Sequence, residues 1–235
     1  MRGPPADKLG ADHEIIDLRP HVRPSDRMSF GLTADLYDRA EDDAAAVVFG
    51  RLYAEGRRAF SIRNEEPMPY VRTCQLCRRL VVRAYHREAT SLGVRVVILG
   101  TNEWVGLSQN TSRDGYRFSA VRRLRPPGTN SAVYVVHLPF LQRTTIDDTR
   151  RVLDRLGWTE PEGEGLVESN SNSCLLSRAA EAKASRLLGF HPDTTRLARE
   201  VTAGFLTRDQ AVAALARPHD HPRTVREVLA DAAIL

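Results

Sequence analysis

Residues 73–102 constrain the fold more than any other stretch of this chain. From Thr73, apolar and small residues recur at three- and four-residue steps (Cys77, Leu80 with Val81, Ala84 with Tyr85), and Gly93 stands where such a helix ends. Val94–Leu99 follows at once as a nearly continuous apolar run, the pattern of a strand buried on both faces, and Gly100-Thr101-Asn102 closes it. A helix feeding a buried strand, with small polar residues at the strand's carboxyl end, points to a parallel sheet. The expected fold class is therefore α/β, a Rossmann-like parallel sheet followed by a C-terminal α-helical tail. Strand 94–99 is expected to be central and parallel to strands at 13–18 and 133–138.

The remaining pattern fits around that unit. Residues 33–59 carry a helical repeat, and Pro67 and Pro69 punctuate a loop after it. Residues 108–131 read as an irregular loop in which Arg113, Arg117, Arg122, Arg123 and Arg125 surround Tyr116 and Phe118. Thr145 or a neighbour caps a helix that ends near Gly157, and further helices are expected at 174–188, 193–203, 208–216 and 223–234. The division expected is 1–160 for the α/β part and 161–235 for the helical region.

Composition narrows the function classes. The 235 residues are 42% hydrophobic and 27% charged, enough for one sizeable core. No apolar run approaches the roughly 18 residues of a membrane span, and the first residues lack the apolar stretch of a secretory signal, so a cytoplasmic protein is expected. Lys8 and Lys183 are the only lysines; the rest of the 34 basic residues are arginine. No Gly-x-x-x-x-Gly-Lys phosphate loop is therefore present. A net charge of +4 permits an anionic partner without requiring one.

The 3 cysteines carry the clearest chemical signal. Cys74 and Cys77 form a Cys-x-x-Cys pair at a helix entrance, where the helix N-terminus favours thiolates and one metal can be shared. Cys174, far along the chain, completes a three-sulfur set. Three thiolates suit zinc with a fourth position open, or an iron–sulfur cluster with one iron left for an exogenous ligand. The competing reading is a small apolar pair at a helix start and an unrelated buried thiol. Gly100, Thr101 and Asn102 mark a nucleotide-binding edge, since ligands of parallel sheets sit beyond the strands' carboxyl ends; a plain turn is the alternative. The arginine-rich loop reads either as a phosphate-tracking segment or as a solvated loop. His219-Asp220-His221 reads as a solvated turn rather than a metal site.

Taken together, several stretches resemble the PP-loop ATP pyrophosphatase superfamily. Lys8-Leu9-Gly10-Ala11-Asp12-His13-Glu14-Ile15-Ile16 looks like the approach to that fold's second strand. Thr73-Cys74-Gln75-Leu76-Cys77-Arg78-Arg79-Leu80, with the helix and strand that follow, resembles the tRNA-thiolating members. Leu138-Pro139-Phe140 and the helix to Leu156-Gly157-Trp158 are also similar to the superfamily. Ser171-Asn172-Ser173-Cys174-Leu175-Leu176 and Ala203-Gly204-Phe205-Leu206-Thr207-Arg208-Asp209-Gln210-Ala211 look like members related to sugar amidotransferases. The likeness runs in order over residues 6–216.

The family's Ser-Gly-Gly-x-Asp-Ser loop, whose backbone and hydroxyl groups hold pyrophosphate, does not occur in the sequence. The resemblance thus implies a chain lacking the first strand–loop–helix unit. It implies ATP with magnesium as cosubstrate, adenylation of a carbonyl oxygen, and attack by sulfur on the activated carbon of a tRNA or small molecule, with this chain inactive as it stands. Cys74, Cys77 and Cys174 would hold an iron–sulfur cluster or zinc, and Gly100, Thr101 and Asn102 would contact the nucleotide. The alternatives are an amide-forming enzyme acting on a sugar, or a non-catalytic, metal-stabilised binding remnant. An incomplete sheet edge would also suit a homo-oligomer or a partner chain.

Overall fold

The helix beginning at residue 74 and the strand after it are both present, and the rest of the sheet is organised around them. In the computed structural model, residues 15–39, 43–59, 66–100, 120–124, 130–159, 174–216 and 222–235 are described. In chain order the helices are α1 (Pro24–Arg39), α2 (Asp43–Ala59), α3 (Cys74–Ser91), α4 (Leu138–Leu141), α5 (Ile146–Arg155), α6 (Leu175–Leu188), α7 (Thr194–Thr202), α8 (Arg208–Ala216) and α9 (Val225–Asp231). The strands are β1 (Val96–Leu99), β2 (Val121–Leu124) and β3 (Val133–His137). No described helix is long and apolar enough to cross a membrane.

Helix α3 stops where Gly93 enters the left-handed region at φ 68°, a conformation open to glycine at little steric cost. The chain then reverses into β1, which pairs in parallel with β3 from Val96 opposite Tyr134 to Leu99 opposite His137. Strand β2 lies antiparallel on the other side of β3, giving the order β1-β3-β2. The fold is therefore mixed α/β with a mixed sheet. Two expectations are corrected here. Among the described residues β3, not β1, is the middle strand. Residues 15–18 form no strand either: they lead into a 3-10 turn at Arg19–His21, which Pro20 starts, and Ile15 is 90% exposed.

Helix α3 covers one face of the sheet, where Val82 and Ala89 pack with Leu124, Val133 and Val135, flanked by Tyr85, Val97 and Leu99. The registers place Val96, Ile98, Val121, Arg123, Tyr134 and Val136 together on the opposite face. Val96 and Ile98 are 52% and 63% exposed there. The apolar run 94–99 is thus buried on one face rather than two.

The larger core is helical and joins distant parts of the chain. Phe30, Ala34 and Tyr37 of α1 and Phe49, Leu52 and Tyr53 of α2 meet Leu76 and Leu80 of α3, Leu176, Ala180 and Ala184 of α6, and Val225 and Leu229 of α9. Helices α6 and α9 therefore share one core with α1 and α2. A third small cluster of Leu197, Ala211 and Ala214 ties α7 to α8. Helices α5 and α9 each begin with a capping box, Thr145 with Asp148 and Thr224 with Glu227.

Candidate thiol site and the cleft beside it

Cys74 is the first residue of α3, Cys77 lies one turn on, and Cys174 immediately precedes α6. The common core of α3 and α6 brings the three segments together: Cys77 and Cys174 both pack on its surface. Burial pushes the Cys77 thiol up to about 12, and the neighbouring Cys174 and Cys74 sulfurs push in the same direction. Cys77 thus has both of the other cysteines as electrostatic neighbours. None of the three forms a disulfide.

The donor set suits a thiophilic group, because three soft sulfurs share one region and the most buried has the other two as electrostatic neighbours. Among the described residues, no three His, Cys, Asp or Glu side chains are gathered as ligands of a single ion. Loading the site requires that Cys77 lose its proton, so metal affinity is tied to pH.

Cys74 also lines a small, partly open cleft of about 30 Å³, with Tyr37, Arg72, Thr73, Ser177, Glu181 and Asp193 among its walls. Burial disfavours the Arg72 charge, but the Cys74 and Asp193 groups beside it outweigh that and raise its pKa. The Arg72 guanidinium donates to Asp193 Oδ1 at 3.1 Å, and Arg196 bridges Asp193 and Glu200, with 2.7 Å to Glu200 Oε1. The Tyr37 phenol is raised by burial, by Cys74 and by Glu181, and donates to the Val71 carbonyl at 2.6 Å.

His191 lines the same cleft. Its Nδ1 accepts the Asp193 backbone N–H at 3.1 Å, so the proton of the neutral ring lies on Nε2, which faces the Glu181 carboxylate. Sequence reading missed Arg72, two residues from Cys74, and also Glu181 and His191, which come from later segments that only the helical core brings to the cleft.

Gly100 follows β1 and is exposed; Thr101 and Asn102 lie outside the described residues. So do Arg113, Tyr116, Arg117, Phe118, Arg125 and His219 to His221. Arg122 and Arg123, expected in a loop, belong to β2 instead. Their flanking Val121 and Leu124 supply the alternation of a strand, and pairing with β3 satisfies the backbone.

Comparison of the chain with family models, with curated proteins and with solved structures finds no match in any of the three.

Proposed function

We propose that the protein is an adenylating enzyme of the PP-loop type, which activates a carbonyl oxygen with ATP so that sulfur can replace it on a tRNA or a small molecule. The observation that supports this reading is that Cys74 and Cys174, the chain's other two cysteines, are both electrostatic neighbours of Cys77. The sheet adds less. Parallel pairing of β1 with β3 puts Gly100 at a carboxyl end suited to a nucleotide, but the edge position of β1 is not the geometry expected of the family.

In this reading Cys74, Cys77 and Cys174 hold an iron–sulfur cluster, with zinc as the alternative. When bound, the cluster supplies an iron position with affinity for sulfur. Arg72 offsets negative charge at Cys74, while the apolar shell around Cys77 keeps water from its sulfur. Adenylation makes AMP the leaving group, so oxygen departs with the phosphate and sulfur takes its place on carbon.

The test is anaerobic reconstitution of the chain with ferrous iron and sulfide, in parallel with zinc, followed by metal and sulfide analysis. Cys74→Ser, Cys77→Ser and Cys174→Ser are each expected to lower the bound metal strongly, whereas unchanged loading in Cys174→Ser would overturn the shared site. Because no Ser-Gly-Gly-x-Asp-Ser loop occurs in the 235 residues, pyrophosphate release from ATP is expected to be far below an enzymatic rate. Rapid release that Asn102→Ala abolishes would contradict that expectation.

A further inference from the structure

Two buried carboxylates, Asp193 and Glu181, lie on the wall of the cleft, and they are matched differently. Asp193 receives the guanidinium groups of Arg72 and Arg196. Glu181, on α6, is 7% exposed, and its Oε1 meets the His191 ring. Among the described residues no arginine or lysine pairs with Glu181. Lys183, two residues on, donates to the Tyr37 carbonyl instead. The second carboxylate oxygen, Oε2, is buried without a hydrogen-bond partner.

His191 does not neutralise this carboxylate. Its Nδ1 accepts the Asp193 backbone N–H at 3.1 Å, and a doubly protonated ring has no nitrogen left to accept. The ring is therefore neutral, with its one proton on Nε2 toward Glu181. A buried carboxylate without a cation is costly, and a positive group entering from outside relieves that cost. The cleft has about 30 Å³, room for one or two water-sized groups, and is partly open. The Thr73 and Ser177 hydroxyls, 3.4 Å apart, also line it and supply further acceptors. A divalent metal fits poorly, because among the described residues no three His, Cys, Asp or Glu side chains gather as ligands of one ion. An ammonium group is compact, positively charged and carries three or more N–H donors for such oxygens.

We propose that this cleft is a binding site for an ammonium group, with Glu181 as its counter-ion. The group is the free ammonium ion or the amino end of a larger ligand that projects through the open side, and the test separates the two. The site requires neither a metal on the thiols nor adenylation. A chain that binds ammonium through Glu181 without loading metal keeps this inference and loses the previous reading; metal loading with Glu181 irrelevant to ammonium does the reverse.

The test follows thermal melting of the full chain in ammonium chloride, propylammonium chloride, potassium chloride and sodium chloride at equal ionic strength, with calorimetry for Kd. At about tenfold excess over Kd an ammonium salt is expected to raise the melting temperature by about 3–6 °C over sodium, and potassium, which has no N–H donors, by much less. A response to ammonium chloride alone assigns the site to the free ion; a tighter response to propylammonium assigns it to the amino end of a ligand. Glu181→Gln is expected to abolish the response and, in sodium chloride, to melt no lower than the parent, because an unmatched buried charge is removed while the acceptor for His191 is kept. Should Glu181→Gln melt far below the parent, Glu181→Asp carries the comparison, with most of the response expected to be lost. Cys174→Ser, outside the cleft, should keep the full response. Equal responses to ammonium, potassium and sodium, no response of the parent to either ammonium salt, or an undiminished response in Glu181→Gln or Glu181→Asp would each overturn the proposal.

Discussion

Two parts of the molecule treat arginine in opposite ways. Around the cleft, Asp193 receives Arg72 and Arg196, and Glu200 receives Arg196 again, so each buried cation meets an anion within the protein. In the sheet, burial and then the charge of Arg78 lower the Arg122 pKa. The first arrangement ties the segment before α3 to α7. Buried charge that meets an opposite charge within the fold is structural, and removing one partner is costly.

The sharpest way to break this contrast is Asp193→Ala. It leaves the buried Arg72 guanidinium without Asp193 and takes from Arg196 the longer of its two contacts, and a loss of about 3–5 kcal/mol is expected in chemical denaturation. If the loss is under about 1 kcal/mol, as for an exposed ion pair, the cleft arginines are no more anchored than Arg122.

Next comes the response to alkali. The folded chain holds the Cys77 thiol at about 12, above its ordinary value of 9.0, so folding favours the protonated form. That contribution is fully present below about pH 9 and is lost as pH rises toward 12. Stability followed across that window is expected to fall, and the fall should be smaller in Cys77→Ala. An identical alkaline profile in the variant would place Cys77 in water rather than beside its two neighbours.

A smaller loss is expected from Tyr37→Phe, which removes the 2.6 Å hydrogen bond to the buried Val71 carbonyl beside the cleft. It should cost about 1–2 kcal/mol, read from urea midpoints. Thr224→Ala, which removes the capping box of α9, should cost about 1 kcal/mol by the same measurement. At the end of this series stands Arg122→Gln, expected to cost little, because burial and the Arg78 charge already disfavour the cation there.

Much of the local structure was legible because it depends on neighbours in sequence. The stop at Gly93, the cap at Thr145, and helices close to 174–188, 193–203 and 208–216 all follow from residues within a few positions of each boundary. Strand β2 was not legible. Arg122 and Arg123 gave it the look of a loop, and only pairing with β3 makes Val121–Leu124 a strand. The single helical pattern read over 33–59 is two helices, α1 from Pro24 and α2 from Asp43.

The Cys-x-x-Cys pair was written in the chain, since one helical turn sets Cys74 near Cys77 whatever surrounds them. That Cys174 joins them was decided by tertiary structure, through the packing of Leu176 and Ala180 of α6 against the core that holds Leu76 and Leu80. The sequence likewise determined that β1 would be apolar. Which of its faces is covered was settled by α3 lying on the side of Val97 and Leu99, leaving Val96 and Ile98 exposed. Local periodicity specifies what an element can bury. Only the elements that reach it from elsewhere in the chain specify what it does bury.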